Sequence, residues 1–222
     1  MVKAVSLSRK GEKSDSNEDA SLVLGSLGIF AVADGVGGNP QGGKASREVV
    51  NTLYDELRSG VITRQSIGRA IAKANSAVHD RSLDKQAGKG MASTLVLAWQ
   101  TESKLYCYNI GDSRIYRFRG GVLQQLTEDH VKLVQRGAKT KNMVTRAMGL
   151  GADVVPDISE WDWQAGDLLL LMSDGISDRL SSDEIAGIAA RGSLSMSDKA
   201  KALVEASELR GGRDDKTVVL VF

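Results

Sequence analysis

The sequence predicts an α+β fold in which two antiparallel β-sheets pack as a sandwich flanked by helix pairs, giving α-β-β-α layers. Three observations lead to this prediction. Short apolar runs typical of strands stand on both sides of two amphipathic helical segments. Tight turns join neighbouring strand runs, which favours antiparallel pairing. A second pair of helical segments precedes the last strand run, so each sheet has two helices to cover its outer face.

The first part of the chain contains three strand patterns followed by two helix patterns. Apolar and β-branched residues dominate the strand patterns, which lie at Ala4–Ser8, Ser21–Leu24 and Gly28–Ala33. Apolar residues recur about every four positions in the helix patterns, which lie at Lys44–Arg58 and Arg64–Leu83. Each helix therefore has one apolar stripe with which to cover a sheet.

Strand patterns return near residue 93. They lie at Ser93–Trp99, Lys104–Ile110, Ser113–Phe118 and Val122–Leu126. Gly120 and Gly121, between the last two, suit the positive φ angles of a hairpin turn. Residues 127–145 are polar and lack a regular period, so they are predicted to be irregular.

Two more strand patterns, at about 153–158 and 167–172, precede the second helix pair. Ser181 and Glu184 fit a capping box that opens a short helix. An amphipathic helix is predicted at about 197–209, and the segment KTVVLVF forms the final strand. Residues 1–222 are predicted to be a single domain, because neither a linker nor a repeat interrupts them.

Composition excludes several classes of protein. Lys and Arg number 29 against 28 Asp and Glu, so charge gives no case for binding nucleic acid or a membrane. The single cysteine, Cys107, is predicted to be a small buried hydrophobe. The opening residues lack the apolar core of a targeting peptide, and no apolar run is long enough to span a bilayer. A cytoplasmic protein of a reducing compartment is therefore expected.

Acidic residues recur where predicted strands end or begin, as in the segment VADGVGG at 32–38. The positions are Glu18, Asp19, Asp34, Asp112, Asp174, Asp214 and Asp215. In an antiparallel sandwich the end of one strand lies beside the start of its neighbour, so these acids are expected to gather at one rim. Clustered carboxylates repel one another unless a cation neutralises them.

Oxygen-only ligation selects Mg²⁺ or Mn²⁺, and one cysteine with two histidines cannot build a typical zinc site. Gly35 and Gly175 directly follow two of the acids, and their lack of a side chain is expected to let a carbonyl or a phosphate approach the ion. The alternative interpretation is that each Asp-Gly pair merely marks a turn.

The chain resembles PPM-type (type 2C) metal-dependent Ser/Thr protein phosphatases, in their compact bacterial form. The motifs that carry the resemblance are NEDA (17–20), VADGVGG (32–38), ASTLVLA (92–98), NIGDSRIYR (109–117), LTEDH (126–130), TRAMG (145–149), SDGISD (173–178) and DDKTVVLV (214–221). Each motif alone is weak, but they occur in the family's order and extend over essentially the whole chain. The resemblance implies a sandwich of two antiparallel sheets between helix pairs.

The resemblance also implies a centre of two Mn²⁺ or Mg²⁺ ions that activate a water for in-line attack on phosphorus, without a covalent phosphoenzyme. On the matching positions, Asp34 bridges the ions, the Gly35 carbonyl ligates one, and Asp174 and Asp214 hold the other. These three aspartates are therefore the implied catalytic residues. Glu18 and Asp19 act on the metals directly or through water. Asp112 matches the ligand of a third, weaker ion.

Three departures or variable features bear on the substrate. Many relatives carry an arginine that grips phosphate where this chain has Ser14, so a raised KM is expected, with Lys13, or else Lys10 or Arg9, as a substitute. Asp215 replaces the family's usual asparagine and is expected to add negative charge near the metals. The segment at about 131–142 matches the family's flap, which lies beside the active site and affects substrate choice.

Three functions are compatible with these motifs. The first is a phosphatase acting on phosphoserine and phosphothreonine in proteins that a Ser/Thr kinase has modified, working as a monomer. The second is a pseudophosphatase that binds phosphoproteins without turnover, which Ser14 favours and the intact acids oppose. The third is a hydrolase of small phosphate esters, since its metal chemistry would be the same.

Overall fold

A computed structural model describes residues 3–13, 15–36, 41–83, 90–136 and 139–222. The strands are β1 (Ala4–Arg9), β2 (Asp19–Leu24), β3 (Ile29–Val36), β4 (Ala92–Ser93), β5 (Leu95–Gln100), β6 (Lys104–Ile110), β7 (Arg114–Arg119), β8 (Val122–Gln125), β9 (Val131–Arg136), β10 (Lys139–Val144), β11 (Asp157–Asp162), β12 (Leu168–Met172) and β13 (Lys216–Val221). The helices are α1 (Gly42–Leu57), α2 (Arg64–Leu83), α3 (Asp174–Ser177), α4 (Ser182–Ala189) and α5 (Met196–Leu209).

Two antiparallel sheets form the centre of the molecule. One has the strand order β1-β13-β12-β7-β8, and the other has the order β11-β6-β5-β3-β2 with β4 paired to β3. Strands β9 and β10 pair only with each other. The α+β fold class and the antiparallel pairing predicted from the sequence are confirmed.

Alternation along the strands builds three apolar layers. In β3, Phe30 and Val32 pack between the sheets, whereas Ala31 and Ala33 pack against α1 and α2. The layer between the sheets also holds Leu169, Leu171, Val219 and Val221. The remaining layer lies between the first sheet and α4 and α5. The molecule thus has the predicted α-β-β-α order.

Helices α1, α2, α4 and α5 form where the sequence predicts them, whereas the four-residue helix α3 was not predicted. In α1, the residues Ala45, Val49, Leu53 and Leu57 are fully shielded from solvent. Helix α4 opens with the predicted capping box, in which the Ser181 hydroxyl accepts the Glu184 N–H at 3.2 Å. None of the helices in the described ranges has the length and apolarity that a membrane span requires.

Three local predictions were wrong. Residues 127–145 are not irregular throughout, because β9 and β10 pair antiparallel in a sheet of their own. The strand predicted at 153–158 instead spans Asp157–Asp162, beginning just after Pro156, which has no N–H to donate. Asp34 does not follow a strand but lies within β3, since β4 pairs with Gly35 and Val36 and extends it.

Candidate metal centre

Acidic side chains from separate parts of the chain meet at one end of the sandwich. Asp19 opens β2 and stands opposite Asp34 of β3 in the antiparallel register. Asp112 follows β6, Asp174 is the first residue of α3, and Asp214 lies just before β13. All four act electrostatically on Asp34. The rim cluster, as we name it, comprises Glu18, Asp19, Asp34, Asp112, Asp174 and Asp214.

The backbone of Asp34 is fixed by residues of the ASTLVLA motif. Its N–H donates to the Thr94 hydroxyl at 3.0 Å, and its carbonyl accepts from the Thr94 N–H at 2.8 Å and from the Ser93 hydroxyl at 3.0 Å. The Thr94 hydroxyl also contacts the Ser113 hydroxyl at 2.8 Å, beside Asp112. These bonds hold Asp34 and the Asp112 turn against the same threonine.

Close packing and a histidine hold the Asp112 turn. Gly111 has a φ of 115°, and a Cβ there would lie 2.7 Å from Thr94 Cβ, so only glycine fits. The Gly111 N–H donates to His130 Nδ1 at 3.0 Å, which leaves Nε2–H to donate to Asp157 at 3.1 Å. His130 therefore has a structural role in positioning this turn.

Ser173 joins the two sheets at the rim cluster. Its hydroxyl donates to an Asp19 carboxylate oxygen at 2.8 Å and accepts the Thr217 N–H at 3.0 Å. The Ser173 N–H in turn donates to the Thr217 carbonyl at 3.1 Å. This serine directly precedes Asp174, so the same connection sets where α3 begins.

Asp215 holds the loop before β2. Its buried carboxylate accepts the N–H groups of Gly11 and Glu18, each at 2.6 Å. Two acceptor oxygens suit these two donors, which explains an aspartate where the family usually has asparagine. Burial raises the pKa of Glu18, and repulsion from Asp215 raises it further. The effect of this aspartate on the metals stays a prediction.

The glycine after Asp174 serves close packing between backbones, and the room it was expected to give a phosphate or carbonyl ligand stays a prediction. A Cβ on Gly175 would lie 1.9 Å from the Asp215 carbonyl oxygen. Gly35 packs similarly, since a Cβ there would lie 2.3 Å from the carbonyl carbon of Gly42 in α1. Both glycines let a neighbouring element approach the acid that precedes them.

Burial raises the pKa values of five of these acids, and repulsion from neighbouring acids raises them further; the five are Glu18, Asp19, Asp34, Asp112 and Asp174. The pKa of Asp34 lies well above its ordinary value, first because of burial and then because of Asp19, Asp174, Asp112 and Asp214. Burial, assisted by Asp112 and Asp214, raises the pKa of Asp174 to about 7.

Asp19 and Asp112 follow the same rule. Burial raises the pKa of Asp19 to about 7 even though the hydrogen bond from Ser173 opposes the shift. Burial, with repulsion from Asp178 and Asp129, raises the pKa of Asp112 to about 6. A divalent cation would favour the ionised form of each carboxyl.

The rim cluster fits hard divalent cations by charge and donor type. Asp19 Oδ1 and Glu18 Oε1 are buried and accept no hydrogen bond from the residues that the structure describes, so each retains an oxygen for a cation or for water bound to it. All of the donors are oxygens, which suit Mn²⁺ or Mg²⁺. Within the described part of the chain, no three His, Cys, Asp or Glu side chains form a group arranged around a single ion. The fit therefore rests on charge and unpaired oxygens.

A cavity of about 280 Å³ opens beside the rim cluster. We name it the rim cavity, and it is lined by Lys13, Asp112, Asn142, Asp174, Gly175, Asp178, Arg179 and Asp214. Lys13 forms an ion pair with Asp214. It lies in a bend rather than a strand, so its side chain turns toward the cavity instead of away from it. Ser14 lies outside the described residues.

Sequence reasoning missed three residues that line this cavity. Asp178 belongs to the SDGISD motif, which was a usable signal. Asn142 belongs to β10, at the end of the segment that the resemblance to a flap placed beside the active site, although no side chain of that segment was singled out. Arg179 follows Asp178, and neither a motif nor a spacing in the sequence indicated a role for it.

Two other arginines near these motifs have structural partners. Arg114 donates to both carboxylate oxygens of Asp129 at 3.0 Å and to Asp178 at 2.8 Å. Arg146 pairs with Asp157. The sequence motifs contain both arginines, but these contacts assign them to holding loops together rather than to phosphate.

The raised pKa values predict how stability depends on pH when metal is removed. A carboxyl whose folded-state pKa is raised favours folding while it is protonated, and this contribution is lost as pH rises through the folded pKa. With Asp19 and Asp174 at about 7 and Asp112 at about 6, the Tm in EDTA should fall between about pH 5 and about pH 8. Scanning calorimetry measures this, and Mn²⁺ should flatten the decline. A Tm that rises over this interval in EDTA would contradict the prediction.

Comparison with known proteins identifies the family. The model of the family described as Protein phosphatase 2C matches residues 9–208. The serine/threonine phosphatase stp of Listeria monocytogenes is 32% identical over 212 residues, which cover 87% of this chain and 83% of that protein. PppA of Pseudomonas aeruginosa superimposes with a TM-score of 0.87 at 29% identity, covering 99% of this chain and 96% of that one.

A solved structure of the catalytic domain of the phosphatase PstP, in complex with two manganese ions, has a TM-score of 0.84 and 27% identity. The match covers 99% of this chain and 97% of that one. The predicted use of two Mn²⁺ or Mg²⁺ ions and the predicted class of enzyme, a metal-dependent protein phosphatase with phosphoprotein substrates, are confirmed by these relatives. By family model, sequence identity and fold, the chain belongs to the protein phosphatase 2C family.

Proposed function

We propose that this chain hydrolyses phosphoserine and phosphothreonine in proteins, using the rim cluster to hold two divalent ions. The observation that supports this most is the convergence of five aspartates from distant parts of the chain, in which Asp19, Asp112, Asp174 and Asp214 all raise the pKa of Asp34 after the larger effect of burial. In this proposal Asp34 and the Gly35 carbonyl, together with Asp174 and Asp214, ligate the two ions. Asp112 serves a third ion.

When bound, the ions supply an activated water as nucleophile and offset charge on the phosphoryl oxygens. The chain's own residues hold the proposed ligands in place and contact the substrate. Ser173 fixes one Asp19 oxygen by a hydrogen bond at 2.8 Å, and Thr94 fixes the backbone of Asp34. Lys13 is placed at the rim cavity to contact the phosphate of the substrate. The hairpin of β9 and β10 contributes Asn142 to the same cavity, in agreement with a flap at about 131–142.

A nucleophilic cysteine is not part of the proposal. Cys107 is buried between the two sheets, and burial raises the pKa of its thiol to about 12. A thiol with this pKa is almost entirely protonated at neutral pH and is therefore a poor nucleophile. Water is the nucleophile that remains.

A pair of assays tests the function. The protein is incubated with p-nitrophenyl phosphate or with a phosphothreonine peptide, in Mn²⁺ or in EDTA. We expect phosphate release from both substrates in Mn²⁺, its loss in EDTA, and its return when Mn²⁺ is restored. Binding of the peptide without release would instead identify a pseudophosphatase. Release from the small ester but never from phosphopeptides or phosphoproteins would identify a hydrolase of small esters.

The proposal extends to the partners of the protein and to its location in the cell. We expect the substrates to be proteins phosphorylated by a Ser/Thr kinase, and we expect a monomer in the cytoplasm that binds neither nucleic acid nor membranes. The near-equal numbers of basic and acidic residues, 29 and 28, support the last point.

A further inference from the structure

Arg179 is a cation of the rim cavity that has no role in the ligand set. It comes directly after Asp178, at the end of α3, and its N–H donates to the Ile176 carbonyl at 3.0 Å. Its side chain is exposed and lines the cavity together with Asp174. The aliphatic part packs on the turn before β13, where a Cβ on Gly212 would lie 3.2 Å from Arg179 Cγ. The stem is therefore supported beside the acids.

Two of the acids that line the cavity with Arg179 are already paired with cations, and the other two, Asp112 and Asp174, are proposed metal ligands. Asp178 accepts a hydrogen bond from Arg114 at 2.8 Å, and Asp214 is paired with Lys13. Within the described ranges, no carboxylate forms an ion pair with Arg179. Arg179 thus adds a cation to the lining of the cavity for which the described ranges record no ion pair.

We propose that Arg179 binds the phosphoryl group of the substrate, an inference that rests on the proposed function. Guanidinium binds phosphate through two parallel N–H donors, which a serine cannot offer. Arg179 thereby takes the task that an arginine at position 14 performs in many relatives. Lys13 adds a point charge from the loop before β2, and Arg179 adds a guanidinium with paired N–H donors from just after α3.

The position of Arg179 favours the phosphoryl group over acidic residues that flank it in a peptide. Arg179 lines the same cavity as the proposed metal ligands Asp174 and Asp214. A phosphoryl group held by ions at these ligands would enter that cavity, whereas flanking residues of a peptide extend away from the ions. A small ester, which consists of little besides its phosphate, should therefore require Arg179 as much as a peptide does.

The test compares Arg179→Met with Arg69→Met. Methionine keeps an apolar stem against Gly212, and Arg69 is an exposed arginine of α2 for which the structure, as far as it is described, records no ion pair. We expect Arg179→Met to raise the KM for p-nitrophenyl phosphate and for a phosphothreonine peptide by about tenfold, with kcat changed less than about threefold. Arg179→Lys should recover part of the loss, and Arg69→Met should behave as wild type.

A second measurement does not depend on turnover. Inorganic phosphate is titrated into wild type and Arg179→Met by calorimetry in Mn²⁺, and we expect about tenfold weaker binding to the variant. Unchanged phosphate affinity would overturn the inference. So would a rise in KM confined to the peptide, since it would assign Arg179 to flanking residues. Wild type that releases no phosphate in Mn²⁺ would refute the proposed function, while the phosphate titration would still decide the role of Arg179.

Discussion

Replacing Asp174 by Asn is expected to lower kcat/KM by about 100-fold or more while the fold is retained. The amide has nearly the same shape as the carboxyl but carries no charge, and hard cations bind neutral oxygens less tightly than carboxylates. The contacts that place α3 come from Ser173 and Thr217 and are untouched by the change. Steady-state kinetics with p-nitrophenyl phosphate in saturating Mn²⁺ measures the loss.

The Tm of Asp174→Asn is a second readout, and in EDTA it should rise while the activity falls. Because burial and neighbouring acids raise the pKa of Asp174 to about 7, removing its charge relieves repulsion, and the Tm in EDTA should rise at about pH 8. The increase in Tm that Mn²⁺ produces should shrink. Asp153→Asn, an exposed site away from the rim cavity, is the matched control and should change neither quantity. Wild-type turnover in Asp174→Asn would remove this residue from the proposed ligands.

Gly175→Ala is expected to destabilise the protein by about 2–3 kcal/mol. The added methyl group would stand 1.9 Å from the Asp215 carbonyl oxygen, which belongs to the backbone and cannot rotate away. Asp215 holds Gly11 and Glu18 by hydrogen bonds of 2.6 Å, so any shift of this carbonyl disturbs the loop before β2 as well. Urea denaturation followed by circular dichroism measures the change in the free energy of unfolding.

Gly187 provides a control with the same substitution. It lies inside α4 and is exposed, and a Cβ there would meet no atom within 4 Å. Gly187→Ala should therefore stabilise the protein by about 0.5–1 kcal/mol, since alanine favours the helix. Equal effects of the two substitutions would show that the contact between Gly175 and Asp215 is not as close as the structure places it.

Much of the fold could be predicted because the buried faces of helices and strands place apolar residues at regular intervals in the sequence. The stripe of α1 repeats about every four residues, and α2 occupies the predicted range from Arg64 to Leu83. The rim cluster could be predicted as a set, since antiparallel strands carry distant acids to a common end and the ordered motifs single out the same residues. The assignment of each acid to a particular ion remains a prediction.

Other features depend on contacts that leave no local pattern. Asp34 lies inside β3 because the two residues of β4 pair beyond it, and a two-residue strand has no period to detect. The hairpin of β9 and β10 is mostly polar, so its strands resemble a loop in sequence. Lys13 reaches the rim cavity from a bend, and Arg179 reaches it from the end of a short helix. Neither the spacing nor the hydropathy of the sequence predicts that these two residues line the cavity.

The central place of β13 in its sheet has a consequence for synthesis on the ribosome. Strand β13 lies between β1 and β12, and Ala4 stands opposite Val221 in the register. While residues 214–221 are still inside the exit tunnel, β1 has no neighbour in its sheet and Asp214 is absent from the rim. We therefore expect the first sheet and the rim cluster to be completed only after residues 214–221 have left the tunnel.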